Sequence, residues 1–349
     1  MLLDAVAMTP HLAELFAIPI SSARVRYIEY CPGESLIVQY DARTSTSDAA
    51  VVEAHAIASP QGWHLRAYPD DPALPLLRCD AAQLADELGL PGGAVVERLA
   101  WVPGRRAVLR SGDVVVKLYA GDDELQRARW ALGAVADVLP TAGLLASRPD
   151  RGAVAQQALA GLPLGRDDAT RSVGRAANIL RQLHGAVIDE LPDLRPRTLL
   201  AAAVRPAALA AFAVPELAER IERLVDQLTA TIPIASDVVP VHGDFNIGQL
   251  LRDGDRTWVI DVDTLALGSP SVDLAAYAAN MHNGRTDDDQ AVRATLAKLV
   301  DAYGRTPEDL MWHLVATMLR RIDRPLRRLK KRWPERTEAV VVAIEDLSL

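Results

Sequence analysis

The fold is decided by residues 239–249, VPVHGDFNIGQ, in which an apolar run leads into His242-Gly243-Asp244 and a second apolar run follows Gln249. This pattern predicts a strand, a loop that presents Asp244, and a second strand. Downstream, residues 258–263, WVIDVD, predict a strand that ends in two acids, Asp261 and Asp263. Side chains two residues apart on a strand point to the same face, so these two acids can converge on one site where the strand gives way to a loop.

Two acidic loops of this kind suit phosphoryl transfer. That reaction needs a base or orienting acceptor beside the attacking hydroxyl, oxygen ligands for Mg²⁺, and a cation for the nucleotide phosphates. Magnesium keeps several waters, so one or two protein oxygens suffice. Lys117 is a candidate for the cation, because it lies in the apolar run 114–118, VVVKL, which predicts a strand.

The composition bounds the class of protein. The chain has 349 residues, of which 50% are hydrophobic and 24% charged, as in ordinary globular proteins with room for two lobes. The net charge of −8 argues against broad nucleic-acid binding. Cys31 and Cys79 lack metal-ligand spacing, and the first residues lack the features of a signal peptide. No apolar run is long enough to span a bilayer. We therefore expect a cytoplasmic protein with no nucleic-acid or membrane partner; the oligomeric state stays open.

Strand patterns dominate the front of the chain and helix patterns the back. The predicted strands before the first helix are 25–30, 36–40, 51–56 and 63–68, and those after it are 95–101, 107–110 and 114–119. The helix between them, 80–88, has Asp80 at its N-cap and Gly89 past its end. Helices are predicted at 122–138, at 168–184 and from Thr306 onward, where Pro307 takes the first position. Short strands at 238–241, 249–251 and 257–261 interrupt them, so the class is α+β.

Taken together, the motifs resemble the aminoglycoside phosphotransferase and choline kinase-like superfamily, which shares the protein-kinase fold. The matching segments are His242-Gly243-Asp244 with Gln249, 260–263 (IDVD), 268–275 (GSPSVDLA), 114–118 (VVVKL), Glu124, 154–161 (VAQQALAG) and Leu183-His184. The resemblance covers roughly residues 95–349 and is loose before them. It implies a bilobal fold with a strand-rich N-terminal lobe, which carries extra N-terminal strands, and a mainly helical C-terminal lobe. The implied domains are an extension or cap at 1–94, a nucleotide-binding lobe with hinge at 95–160, and a helical lobe at 161–349.

The resemblance also implies a role for each site residue. Asp244 would orient or deprotonate the acceptor hydroxyl, Asp261 would bind Mg²⁺, and Lys117 would contact the phosphates of ATP or GTP while Glu124 holds it in place. The backbone of 157–159, which is Gln157, Ala158 and Leu159, would read the base. His242 and Asp273 would support the catalytic loop. His184 is expected to pack or cap a helix end.

Two departures from the family pattern stand out. Most family members have Asn where this chain has Gln249, although the maltokinase-like branch shows a similar Gly-Gln pair. Gln carries the same amide oxygen on a longer stem, so we expect Gln249 to be a metal ligand. The Gly-rich phosphate loop is replaced by Pro103-Gly104-Arg105-Arg106, whose arginines we interpret as surface residues.

The leading hypothesis is therefore a Mg²⁺-dependent kinase for a hydroxyl of a sugar, amino sugar, aminoglycoside or similar small molecule. The alternative is a catalytically silent, nucleotide-binding regulator or scaffold, which Gln249 and the missing glycine loop favour. Phosphorylation of proteins is less expected, because residues 261–273 leave no room for an activation loop. The basic run 320–332 fits a solvated helix face better than a patch for an anionic partner. The sequence also offers aromatic platforms for a sugar, namely Tyr277, Trp312, His313 and Trp333.

Overall fold

A computed structural model describes residues 1–31, 33–45, 50–91, 95–234, 237–285 and 288–347. The chain divides into two compact units. Unit 1 comprises residues 1–125, 145–156 and 326–331, and unit 2 comprises residues 126–144, 157–325 and 332–349. The predicted fold class is confirmed: antiparallel sheets dominate unit 1 and helices dominate unit 2. In the described part of the chain, no helix has both the length and the apolarity needed to cross a membrane.

Unit 1 begins with a helix and a meander of four antiparallel strands. Helix α1 (Ala5–Phe16) starts at Asp4, whose carboxylate accepts hydrogen bonds from the backbone N–H groups of Val6 and Ala7. Strands β1 (Ile20–Cys31), β2 (Ser35–Thr44), β3 (Val51–Ser59) and β4 (Gly62–Ala67) follow in sheet order β1-β2-β3-β4. The sheet buries alternate apolar residues against α1, and this core is formed by Met8, Leu12, Val38, Tyr40, Ala42, Ala54 and Ala56.

A second sheet in unit 1 carries Lys117. Helix α2 (Ala81–Leu88) has the predicted ends, with a capping box at Asp80 and left-handed Gly89 behind it. Strands β5 (Glu97–Val102), β6 (Arg106–Ser111), β7 (Val114–Tyr119), β8 (Leu144–Arg148) and β9 (Ala153–Gln157) form a sheet of order β5-β6-β7-β9-β8. The central strand, β7, has the predicted bounds.

Unit 2 is built mainly from helices with three short strand pairings. Helix α3 (Asp122–Ala134) joins the two units along the chain. The remaining helices are α4 (Arg166–Ala169), α5 (Val173–His184), α6 (Pro196–Ala213), α7 (Ala218–Ala230), α8 (Ser271–Ala279), α9 (Asp288–Tyr303), α10 (Leu310–Leu319), α11 (Arg324–Arg327) and α12 (Trp333–Leu347). The strands are β10 (Leu162–Pro163), β11 (Val239–Val241), β12 (Leu250–Asp253), β13 (Arg256–Val259) and β14 (Ala266–Gly268).

The core of unit 2 lies around α8 and α10. Both helices are too apolar to have a solvated face: every residue of α8 is buried, and in α10 every residue except the half-buried Met311 is buried. Strand β11 pairs with β14, and β12 forms a hairpin with β13. The loops that carry Asp244 and Asp261 connect to these four short strands.

Three sequence predictions in unit 2 need correction. The helix expected over 168–184 is two helices, α4 and α5, because the chain turns at 170–172 between them. The helix expected from Thr306 begins at Leu310 instead, and the carboxylate of Asp309 just before it bonds to other elements. The basic run 320–332 is not one solvated helix face, since α10 ends at Leu319, Arg321 is buried and Arg320 is half-buried.

Candidate active site

The catalytic loop, residues 242–249, leaves β11 through a backbone bend that requires glycine. Gly243 has φ +85°, a left-handed conformation that other residues adopt at a cost. A Cβ at this position would also clash with the backbone carbonyl oxygen of Thr264. The close approach of these two chain segments therefore depends on Gly243.

Asp273 fixes the start of the catalytic loop. Its carboxylate accepts hydrogen bonds from the backbone N–H groups of His242 at 2.8 Å and Gly243 at 2.9 Å, and it is fully buried in α8. His184 Nε2 lies 3.1 Å from the same carboxylate, and its Nδ1 lies 2.9 Å from the hydroxyl of Tyr303. An ionised carboxylate only accepts, so Nε2 carries the proton in this arrangement. His184 thus connects the end of α5 to Asp273.

Two further contacts tie the catalytic loop to the segment that carries Asp261. His242 Nε2 donates to the carbonyl oxygen of Ile260 at 3.2 Å, and the hydroxyl of Thr264 donates to the carbonyl oxygen of His242 at 2.7 Å. Strand β13 ends at Val259, two residues earlier than expected, and Asp261 takes a left-handed conformation with φ +62°. The strand geometry expected for the side chains of Asp261 and Asp263 does not apply, because residues 262–264 form a 3₁₀ turn.

The hairpin brings the two predicted magnesium ligands close along the backbone. Gln249 directly precedes β12, and the N–H of Ile260, just before Asp261, donates to the carbonyl oxygen of Gln249 at 2.9 Å. An amide oxygen and a carboxylate are a donor set that suits Mg²⁺. Among the described residues, no group of three or more His, Cys, Asp or Glu side chains could hold a metal.

Gln249 nevertheless has another partner. Its side-chain oxygen accepts a hydrogen bond from the backbone N–H of Asn246 at 3.1 Å, while the Asn246 side-chain oxygen accepts from Gly248 N–H at 3.1 Å. The Asn246 amide also donates to the carbonyl oxygen of Asp244 at 2.9 Å. This reciprocal cap closes the catalytic loop. Asn246 was not among the predicted site residues, although its spacing of three positions from the amide of Gln249 is typical of a capping box.

Two arginines that the sequence analysis assigned to a solvated face lie beside Asp244. Arg321 Nη2 is 2.8 Å and Arg320 Nη2 is 3.3 Å from Asp244 Oδ1. The Arg321 side chain is 7% exposed and that of Asp244 is 34% exposed. Their position in the sequence could have indicated this, because both arginines directly follow the apolar run that forms the buried helix α10.

A cluster of four polar residues anchors the helices behind the catalytic loop. Asp309 accepts hydrogen bonds from the hydroxyls of Ser269 at 2.9 Å and Ser271 at 2.6 Å, and His313 Nε2 lies 3.1 Å away. Burial alone would raise the pKa of Asp309, but the hydrogen bonds from His313, Ser271 and Ser269 outweigh it and lower the pKa to about 2. Because Ser271 begins α8, this cluster also positions Asp273.

In unit 1, Lys117 is buried at the centre of the second sheet, and Glu124 lies in the first turn of the helix that follows. The ion pair that the structure gives Glu124 is with Arg105 at 3.3 Å; the expected pairing with Lys117 stays a prediction. Arg105 belongs to the arginine turn, residues 103–106, and also pairs with Glu29 of β1 at 2.8 Å. Burial alone would lower the pKa of Arg105, but Glu29 and Glu124 outweigh it, and the pKa is raised.

The remaining predicted residues fall into two groups. Gln157 ends β9 exposed, and Ala158 and Leu159 follow it half-buried and outside any helix or strand; their role as a hinge stays a prediction. The proposed sugar platforms at Tyr277, Trp312 and His313 are wrong, because these side chains are buried in the core. Their polar atoms serve the fold: Tyr277 donates to the carbonyl oxygen of Ala169, and Trp312 to that of Leu228.

Comparison with known proteins agrees with this geometry. Residues 96–313, more than half of the chain, match the model of the phosphotransferase enzyme family. Among curated proteins, none matches the chain significantly.

Solved structures show the same fold at low identity. A choline/ethanolamine kinase family protein from Mesorhizobium loti is 18% identical, with a TM-score of 0.55 over 76% of this chain and 92% of that one. The choline kinase LicA from Streptococcus pneumoniae is 13% identical, with a TM-score of 0.54 over 72% and 93%. A streptomycin-ATP-APH(2")-IIa ternary complex is 14% identical, with a TM-score of 0.50 over 76% and 94%. At these identities the likeness shows the fold alone.

Proposed function

The chain belongs to the phosphotransferase enzyme family, and from this membership and the geometry of the catalytic loop we propose that it transfers the γ-phosphate of ATP or GTP to a hydroxyl group of a small molecule. One observation carries the proposal. Asp244 is 34% exposed in a loop whose start is fixed by buried groups, since His242 and the Asp273 carboxylate that accepts from its N–H are fully buried. A carboxylate held this way is preorganised to orient an acceptor hydroxyl.

The contacts of Asp244 leave one of its oxygens for that hydroxyl. Both arginine contacts are to Oδ1, and within the described parts of the chain no partner is found for Oδ2. A hydroxyl bound to Oδ2 would be aligned for attack, and the carboxylate would accept its proton as the bond to phosphorus forms. This role needs a fixed direction more than a strong base, which agrees with the many hydrogen bonds that position the loop.

The other predicted residues have distinct tasks in this proposal. Lys117 would neutralise charge on the nucleotide phosphates, and Gln157, Ala158 and Leu159 would contact the base through their backbone. Gln249 and Asp261 would hold Mg²⁺, which when bound would supply positive charge that neutralises the nucleotide phosphates. The donor set fits the ion, provided that Gln249 shares its amide oxygen with the N–H of Asn246 or releases it.

The cap formed by Gln249 also favours the second candidate function, a nucleotide-binding protein without catalysis. If the side-chain oxygen stays on Asn246, one of the two proposed ligands is lost and metal-dependent transfer would be weak. A Gln249→Asn variant tests this directly, because its stem is one methylene shorter and it places the amide as most family members do. The kinase proposal expects measurable phosphoryl transfer already in the wild type, whereas the silent binder expects no transfer by the wild type.

The decisive experiment is an acceptor panel with γ-³²P-labelled ATP and GTP. Streptomycin, kanamycin, choline, ethanolamine, glucosamine, glucose, maltose and glycerol would be incubated with the protein and Mg²⁺, with EDTA as the control. We expect labelled product from at least one acceptor and its loss with EDTA. Tight nucleotide binding without transfer to any acceptor would instead support the silent binder.

A further inference from the structure

The two arginines at the end of α10 are unequal partners of Asp244. Arg321 is nearly buried, and its Nη1 donates to the carbonyl oxygen of Ala276 in α8 at 3.3 Å. Both terminal nitrogens of its guanidinium therefore have partners, Ala276 and Asp244. Arg320 is 26% exposed, and within the described ranges its guanidinium contacts only the Asp244 carboxylate, at 3.3 Å. Arg321 therefore positions the carboxylate, while Arg320 has donors to spare.

The local charge does not balance. Two guanidinium groups share one carboxylate oxygen, which leaves a net positive charge next to the group that would orient the acceptor. Burial lowers the pKa of Arg320; Asp244 opposes this and Arg321 reinforces it. A partly desolvated cation with spare donors is a site for an anion, and a guanidinium is shaped to bind phosphate oxygens in pairs.

The reaction itself supplies that anion. A hydroxyl bound to Asp244 would lie about 2.7 Å from the carboxylate, and the phosphoryl group joins that same hydroxyl oxygen. Arg320 contacts the other oxygen of the carboxylate, so its free N–H groups would lie within a few ångströms of a phosphoryl group that arrives at this hydroxyl. Negative charge spreads over the three equatorial oxygens of that group in the transition state. No anionic acceptor has to be assumed.

We propose that Arg320 is a further catalytic residue, which contacts the phosphoryl group during transfer and stabilises its charge from within the same chain. This inference rests on the proposed function, because it requires transfer to occur. In the step, the hydroxyl oxygen forms a bond to the γ-phosphorus, the bond from that phosphorus to the nucleotide oxygen breaks, ADP or GDP leaves, and the hydroxyl proton passes to Asp244. Arg320 keeps its proton throughout.

The test compares Arg320→Gln with wild type in the labelled-nucleotide assay, using the best acceptor of the panel and, separately, water as the acceptor. We expect kcat to fall about 100-fold or more, the loss typical of one preorganised donor, with nucleotide affinity and melting temperature unchanged. Arg328→Gln is the matched control, because Arg328 is an exposed arginine of the same basic run. It should leave kcat unchanged.

Two readouts separate charge stabilisation from a structural role. Arg320→Lys, which keeps the charge, should retain more activity than Arg320→Gln, and millimolar guanidinium should partly restore Arg320→Ala. Equal kcat in wild type and Arg320→Gln, or equal loss in the Lys and Gln variants without guanidinium rescue, overturns the inference and leaves the proposed function standing. Absence of transfer by the wild type to every acceptor and to water is a different result, which overturns both.

Discussion

The catalytic loop and the arginine turn are both tight bends that carry charged residues, yet different forces hold them. Buried hydrogen bonds from the loop's N–H groups to Asp273 fix the loop, whereas ion pairs with Glu29 and Glu124 fix the turn, where the Arg105 side chain is 46% exposed. Removing a buried partner leaves polar groups unsatisfied, while an exposed ion pair exchanges with water at little cost. The loop should therefore tolerate little change, and the turn a great deal.

The largest loss of stability is expected from Asp273→Ala. The change leaves the N–H groups of His242 and Gly243 buried without an acceptor, and it removes the partner of His184. We expect the free energy of unfolding to fall by about 4 kcal/mol, measured by urea denaturation. Asp301→Ala, an exposed acid on α9, is the control and should cost less than about 0.5 kcal/mol. A loss below about 1 kcal/mol for Asp273→Ala would remove the contrast with the turn.

Gly243→Ala should have the next largest effect. The new Cβ meets the carbonyl oxygen of Thr264 in a left-handed backbone, and strain and overpacking together should cost about 3 kcal/mol. Gly254→Ala is a matched control, because Gly254 has φ +59° with open space around it and pays the strain alone. Equal melting temperatures for the two variants would show that the loop does not need its close approach to Thr264.

Acid should weaken the support behind the loop through Asp309. The pKa of Asp309 is lowered from 3.8 to about 2 in the folded protein, so its contribution is complete above pH 4 and is lost as pH falls through about 2. Relative to Asp309→Asn, wild type should lose about 2 kcal/mol of unfolding free energy between pH 5 and pH 2. Denaturation of both proteins across this range measures the gap. A gap that stays constant or widens at low pH would refute the assignment.

The smallest effect is expected in the arginine turn. Arg105→Gln breaks two partly exposed ion pairs and should cost less than about 1 kcal/mol. Because both carboxylates already hold this arginine, nucleotide affinity measured by calorimetry should change less than about twofold. Arg106→Gln, at the exposed neighbour, should behave alike. A tenfold loss of nucleotide affinity in Arg105→Gln but not in Arg106→Gln would instead indicate that the turn binds the nucleotide phosphates.

The features that could be predicted from the sequence are those set by residues close together in the chain. Strand β7 and the caps of α2 could be predicted to the residue, because their apolar runs and cap residues act over a few positions. The order of the acidic loops identified Asp244 and Asp261 as candidates for the same reason. The role of Gly243 needed the structure, since Thr264 approaches it from another loop.

Long-range contacts were beyond the sequence. Arg320 and Arg321 meet Asp244 across 76 and 77 residues, and only folding brings them together. The start of α10 was misplaced because Thr306-Pro307 satisfies local capping rules, whereas the carboxylate of Asp309 is held by serines at the start of α8. Tertiary hydrogen bonds prevailed over local propensity in that case.

The central claim, that Asp244 orients the acceptor hydroxyl, is tested most directly by measuring transfer and nucleotide affinity together in Asp244→Asn. Asparagine keeps the shape of the side chain and removes its charge and its capacity to accept the proton. Transfer from γ-³²P-labelled nucleotide to the best acceptor should fall about 1,000-fold, while the nucleotide dissociation constant stays within about threefold of wild type. Transfer at the wild-type rate in this variant would contradict the account.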